Sequence, residues 1–371
     1  MSAPRVLIVS ADIGAGHDLP AQLLADGIRA RSPGAEVVIA DGLSAMGPLV
    51  RAGVRSGAEF ILERLPLVFE VQYWLVARFP PTRALARALV AGLGRRGLLR
   101  LVDRTAPDVV VSTYPATTEV LGHLRARGEL RVPCVSAITD LAALRYWAHP
   151  GIDRHLIIHR ESHAEVEAIA GPSADVRHVR GLSRPEFEHP PTRARARAAL
   201  DLPPGGPVVL VSGGGWGVGE LERAARVALS FPGATAVCLC GANARMRGRL
   251  ERAFAAEPRV RVEGFTTRMC EHLAAADVLV HSTAGLTVLE AQMCGTWAIS
   301  YGWGIGHIRI NNAAYRRFGL ADVATTPAEL RAALERAFAA PRPREEDFAA
   351  LPTAADAVLE LTGARQPTPA G

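Results

Sequence analysis

The sequence predicts an α/β protein made of two Rossmann-like domains of similar size, facing one another across a cleft. Short β-branched runs alternate with Ala/Leu/Arg-rich helical segments, the pattern of parallel sheets covered by helices. Each half of the chain opens with a strand, a glycine-rich turn and a helix. Between the halves, residues 181–206 are rich in Pro, Arg and Gly and read as a linker.

The first domain is expected over 1–180, with strands at Val6–Ser10, Val37–Ala40, Val109–Ser112, Cys134–Ile138 and His155–Ile158. The second is expected over 207–340, with strands at Val208–Ser212, Thr235–Cys240, Val260–Val262, Val278–His281 and Trp297–Tyr301. Within the linker, Arg193–Leu200 reads as a short helix. Residues 341–371 are assigned a helix and a tail that is disordered from Gly363, where apolar content ends. The turn Ser10–His17 precedes a helix over Pro20–Ala30, and the turn Ser212–Gly219 precedes one over Glu220–Ser230.

Composition removes several chemistries. All 42 Lys+Arg residues are arginine. A lysine-bearing phosphate loop, a lysine Schiff base and the kinase strand lysine are therefore excluded. The five cysteines have no zinc spacing and read as reduced packing residues of a cytoplasmic protein. No apolar stretch reaches the roughly 20 residues of a membrane span.

The basic charge is concentrated. Residues 45–104 hold ten arginines against Glu59, Glu63, Glu70 and Asp103, a net +6 out of a total of +5. Trp74 and Phe79 lie in the same segment, beside Arg78, Arg83 and Arg87. Two readings fit: docking on an anionic bilayer surface, or amphipathic helices with solvated arginines. Nucleic acid is disfavoured, because the segment has no recognised binding motif.

The chemistry-bearing stretch is Ser282–Glu290, a small-residue turn after a strand with a helix beginning at about Gly285. The first N–H groups of a helix lack internal partners and sit at the positive end of its dipole, which suits a phosphate. Glu290 lies three residues beyond Thr287 on the same helix face, placed for a ribose diol. His17 follows the first turn, where an imidazole suits proton abstraction from an attacking hydroxyl or a simple helix cap. Asp140 ends a strand, where a carboxylate suits a cap on the next helix.

Together these stretches resemble one family. They are Gly14-Ala-Gly-His17, Thr139-Asp140, Trp147–Arg154, Gly181–Phe187, Gly213-Gly-Gly-Trp-Gly217, Cys240-Gly-Ala-Asn243, Gly264–Met269, Ala274–Asp277 and Gly285–Glu290. In this order they resemble the processive diacylglycerol glycosyltransferase and monogalactosyldiacylglycerol synthase family. That family has the GT-B fold and is related to the lipid-linked N-acetylglucosaminyltransferase of peptidoglycan synthesis.

The resemblance implies an inverting transferase that moves a sugar from UDP to a lipid acceptor without metal or cofactor, the UDP-sugar being a co-substrate. His17 and Asp140 would serve the acceptor hydroxyl as base or orienter. Gly214, Gly215 and Trp216 would meet the β-phosphate, and Phe265, Thr266 and Met269 the uracil. Gly285, Leu286 and Thr287 would cradle the diphosphate, with Glu290 on the ribose. Trp74, Phe79, Arg78, Arg83 and Arg87 would form an acceptor and membrane side, on the inner face of the cell membrane.

The chain departs from the family pattern at the usual turn lysine, here Ser282, and at one paired glycine, here Ala284. The Pro-Gly-Gln-Glu stretch for the donor sugar reads Ile305-Gly306-His307-Ile308, leaving His307, Arg309, Asn311 and Asn312 as substitutes. Three alternatives stay open: transfer to a soluble natural product, a UDP-sugar epimerase, and a non-catalytic UDP-sugar binder.

Overall fold

The computed structural model describes residues 3–11, 15–48, 50–52, 75, 79–283, 285–302, 304, 306–340 and 348–363. The chain divides into two units, Met1–Ser183 with Ala350–Gly371, and Arg184–Ala349.

In the first unit six parallel strands pair: β1 (Arg5–Ser10), β2 (Glu36–Asp41), β3 (Val109–Ser112), β4 (Cys134–Ile138), β5 (Arg154–Ile157) and β6 (Val176–His178). Their order is β2-β1-β3-β4-β5-β6. The inner strands are runs of β-branched and small residues covered on both faces, and every residue of β3 and β4 is buried. Leu7, Val9, Val110, Leu121 and Leu124 belong to the core on one side, joined by Leu98 and Leu101 of the helix Pro80–Thr105.

The second unit repeats the architecture with β7 (Val208–Ser212), β8 (Thr235–Leu239), β9 (Val260–Glu263), β10 (Val278–His281), β11 (Trp297–Tyr301) and β12 (Asp322–Ala324). The order β12-β11-β10-β7-β8-β9 makes β7 and β10 neighbours, although two strands intervene in sequence. From β7 the chain winds one way and from β10 the other, so this pair marks the topological switch point. Open α/β sheets bind ligands there, at the carboxyl ends of the strands.

The expected strands are present, with small shifts of boundary at β1, β2, β5, β8 and β9. β6 and β12 were not anticipated; each is a three-residue edge strand. The first helix begins at Ala15, not Pro20, and carries the proline inside it. Its first turn includes Asp18, which accepts a hydrogen bond from Ser10 Oγ at 2.6 Å.

The segment read as a linker divides between the units at Ser183 and Arg184. Its helix Arg193–Ala199 belongs to the second unit. There Arg197, buried, donates to Asp277 at 2.8 Å and to the Ala275 carbonyl at 3.0 Å. The C-terminal helix Ala354–Leu359 belongs to the first unit, where the Arg154 guanidinium meets Glu360 at 2.8 Å.

All five cysteines are free and buried. Burial raises the Cys238 thiol to about 12 and Cys240 to about 11, as expected of packing residues.

Candidate functional site

Three turns of the second unit interlock at the switch point. After β7, the Gly217 N–H bonds to the Gly214 carbonyl at 3.1 Å, and Val218 N–H to that of Gly213 at 3.0 Å. After β8, the Ala242 N–H reaches the Gly215 carbonyl at 2.8 Å and Asn243 Nδ2 the Gly217 carbonyl at 3.2 Å. Asn243 also caps the helix Ala244–Ala253 by accepting from Met246 N–H. After β10, Ser282 Oγ donates to the Tyr301 carbonyl at 3.1 Å, and the Thr283 hydroxyl to Thr287 Oγ1 at 3.2 Å.

The first and third turns abut so closely that a Cβ on Gly214 would lie 2.7 Å from Thr283 Cγ2. Gly214 also has φ +66°, which side chains other than glycine rarely adopt.

These turns leave donors unused. Among the described residues, no acceptor engages the N–H groups of Gly215 or Trp216. The helix Leu286–Met293 starts beside them, with Gly285 as its N-cap. Its opening N–H groups, including those of Leu286 and Thr287, have no partner within the helix. An anion at this place would meet neutral donors and a helix dipole, with no lysine required. Ser282, standing at the family's lysine position, is turned to the next strand.

Glu290 lies one turn into that helix and is buried. Burial is the main cause that pushes its carboxyl up to about 8, with Arg184 opposing and Glu186 reinforcing. Arg184 and Glu186 come from the motif Gly181–Phe187, to whose individual residues the sequence reading gave no role. His281 was also missed. It is buried at the end of β10, its Nδ1 accepts from Thr283 N–H at 3.3 Å, and burial lowers it to about 4, so the ring is neutral.

The remaining donor-side residues fall around the same sheet end. Phe265 and Trp216 are exposed aromatics, at 65% and 44%, on the turns after β9 and β7. Thr266 Oγ1 accepts from Arg268 N–H at 3.0 Å, just before the helix Met269–Ala275. Gly306 caps the helix His307–Phe318, from which Arg309 is exposed. Asn311 is fully buried and so is withdrawn from the surface that was expected to face a sugar. Asn312 accepts a bond from Ser300 Oγ at 2.7 Å.

In the first unit, His17 and Asp140 follow β1 and β4 at the same carboxyl-end edge of one sheet, two strands apart. His17 is the third residue of the helix Ala15–Arg31. Asp140 is held by its surroundings. The Trp147 indole N–H donates to Asp140 Oδ2 at 3.0 Å, and Trp147 is itself buried. The Trp147 carbonyl accepts from Ser136 Oγ at 2.7 Å, and the Ser162 hydroxyl ties the Leu141 carbonyl at 2.9 Å. His159, after β5, was not anticipated. It is buried close enough for Asp140 to act on its charge, and burial lowers it to about 4.

Of the expected acceptor-side residues, Phe79 is exposed at the start of the helix Pro80–Thr105. Arg83 lies on that helix, near enough to Tyr146 to act on its charge. The Arg87 guanidinium is paired with the buried Glu119 at 2.7 Å, which directs its charge inward. Trp74 and Arg78 lie outside the described residues, as do the side chains of His17 and His307.

Residues 17–178 match the sequence model of the monogalactosyldiacylglycerol (MGDG) synthase family. The chain is similar to the processive diacylglycerol beta-glucosyltransferase of Staphylococcus epidermidis, at 23% identity over 53% of this chain and 50% of that protein. It is also similar to the probable monogalactosyldiacylglycerol synthase 2 of Oryza sativa subsp. japonica, at 28% identity over 79% of this chain and 65% of that protein. The chain spans about half the length of several curated relatives that it matches.

Among solved structures it resembles UDP-GlcNAc 2-epimerase from Neisseria meningitidis, with TM-score 0.59, 11% identity and 96% and 98% of the two chains covered. It also resembles Acinetobacter baumannii MurG, with TM-score 0.57, 16% identity and coverage of 97% and 99%. The family resemblance read from the motifs is borne out, and the fold class is α/β, GT-B.

Proposed function

Taking the MGDG synthase match over residues 17–178 as premise, we propose that the chain is a glycosyltransferase. It would move a sugar from a UDP-sugar to a diacylglycerol-type lipid, with inversion at the anomeric carbon. The observation that carries this reading is the grouping in the second unit of Gly215 and Trp216 N–H, the start of the helix Leu286–Met293, and Glu290 one turn further on. A diphosphate needs donors, a ribose needs an acceptor, and the grouping offers both at the switch point.

The chemistry follows from where charge develops. The bond between the anomeric carbon and UDP breaks through an oxocarbenium-like state, and negative charge grows on the β-phosphate. Donors fixed beforehand by interlocked turns stabilise that charge without reorganising. One such donor contributes about 3–4 kcal/mol by analogy with oxyanion holes. The acceptor hydroxyl attacks from the opposite face and its proton passes to His17 or Asp140. The Trp147 indole N–H orients the Asp140 carboxyl group, and the Ser162 hydroxyl fixes the neighbouring Leu141 carbonyl.

The test is UDP release across a panel of UDP-sugars, with and without diacylglycerol, and the anomeric configuration of the product. Lipid-dependent release with inversion supports the reading. Interconversion of two UDP-sugars without an acceptor would indicate the epimerase alternative, and tight binding without turnover a non-catalytic binder. His17→Ala is expected to leave UDP affinity intact and to lower turnover about 10²–10⁴-fold, the usual contribution of a general base.

A further inference from the structure

We propose that His281 is a positioning residue for the diphosphate: its ring, at the end of β10, pins the turn that joins the two sets of N–H donors. The inference rests on the UDP reading above and deepens it by naming what sets the spacing of those donors.

His281 is the last residue of β10, one of the two central strands of the second sheet. It pairs in register with Ser212, the last residue of β7. The two strand ends act alike on the turns that follow them. Ser212 Oγ accepts from the Gly214 N–H at 3.2 Å, and His281 Nδ1 accepts from the Thr283 N–H at 3.3 Å. In each case a side chain anchored in a strand bonds the backbone two residues on, the contact by which Ser, Asn and Asp shape turns.

Thr283 is where the two turns meet. Its Cγ2 lies against Gly214, and its hydroxyl donates to Thr287 Oγ1 at the start of the helix Leu286–Met293. On one side are the N–H groups of Gly215 and Trp216, on the other those of Leu286 and Thr287. Moving Thr283 therefore changes the distance between the two sets. Donors aimed at developing charge act fully only when that distance is fixed beforehand.

Packing alone does not account for a histidine here. The side chain is 1% exposed, and its Nε2 has no hydrogen-bond partner among the described residues. The Tyr315 ring packs against it edge to face, with centroids 6.2 Å apart. A buried nitrogen without a partner is costly, and an aliphatic side chain would avoid that cost. What the histidine supplies in return is the acceptor. Burial keeps the ring neutral, lowering it to about 4, and the bond from Thr283 requires a bare Nδ1 with the ring proton on Nε2.

The experiment makes four variants of the whole chain, in two pairs matched for size: H281N with H281L, and H281S with H281A. The first of each pair keeps a side-chain acceptor for the Thr283 N–H, and the second does not. Each protein is titrated with UDP and with inorganic pyrophosphate, and circular dichroism melts are run on the same preparations. H281N and H281S are expected to bind both probes within about threefold of the wild type, and H281L and H281A about tenfold or more weakly. Either pair decides alone where the other does not fold. Two results overturn the proposal: affinities that follow side-chain size or the melting temperatures, and affinities unchanged in all four variants. Pyrophosphate binding ranked by the acceptor, with UDP bound no more tightly than pyrophosphate, would strike the uridine reading alone. UDP binding without that ranking would strike the role of His281 alone, and a wild type that binds neither probe would strike both.

Discussion

Glu290 binds two requirements into one side chain, since it is buried by its helix and proposed to meet a ribose. Its carboxyl stands near 8 in the folded protein against an ordinary value of 4.5, chiefly through burial. The protonated form is therefore the one the fold favours. The stability that this preference contributes is fully present below about pH 4.5 and is lost as pH rises through about 8. Urea unfolding should show the wild type losing a few kcal/mol relative to Glu290→Gln between pH 5 and pH 8, at about 1.4 kcal/mol per pH unit. Parallel pH profiles for the two proteins would contradict the assigned burial. Asp140 offers a second test at this scale. Trp147→Phe keeps a buried ring but removes the N–H that holds Oδ2. A bond to a charged acceptor is worth about 1.5–3 kcal/mol, so turnover should fall about tenfold or more with UDP affinity unchanged. The sequence pointed to Asp140 and Glu290 because strand ends and helix starts carry legible patterns. It could not show Arg184 or His159, because each acts through a tertiary neighbour with no fixed spacing, nor His281, whose burial at the end of β10 no local pattern records.

Among elements, the turn Gly213–Gly219 was recognisable from its glycines, but its partners were not. That the β10 turn closes on it, through Thr283 against Gly214, depends on β7 and β10 being adjacent, which no local pattern records. Gly214→Ala should therefore damage the diphosphate site twice, by the contact with Thr283 and by the strained φ. UDP affinity measured by calorimetry should fall about tenfold or more, the scale of one strained backbone position. The inner strands were legible because burial on both faces demands β-branched runs, as in Val109–Ser112. The edge strands Val176–His178 and Asp322–Ala324 were not. Three residues with one branched side chain carry no periodicity, and pairing alone makes them strands. The segment 181–206 looked like a linker by its Pro and Gly content. Arg197, buried and bonded to Asp277, makes part of it a structural component of the second unit. Breaking that pair with Arg197→Ala should cost about 1–3 kcal/mol of stability, because Asp277 keeps Arg193 at 2.8 Å and the Val208 N–H at 2.8 Å.

At the level of the whole molecule, chain order and unit membership part company at the C-terminus. Residues 350–363 return to the first unit, where Ala354 and Val358 are fully buried and Arg154 bonds to Glu360 and the Ala357 carbonyl. Ending the chain at residue 349 should leave Arg154 buried with fewer partners and destabilise the first unit by several kcal/mol, read as a lowered thermal midpoint. The two-domain α/β class was visible because each half repeats strand, glycine turn and helix. The return of the tail was not, because the helix Ala354–Leu359 is short and its partners lie far upstream in sequence. The central claim for the molecule is that uridine diphosphate is held by backbone donors, a helix start and the Glu290 carboxyl group, without lysine. Calorimetric titration of UDP in the presence of EDTA tests it most directly. Binding that persists without divalent metal and weakens by about 1–3 kcal/mol in Glu290→Ala is the expected result. No binding, or binding that returns only when magnesium is added, would contradict it.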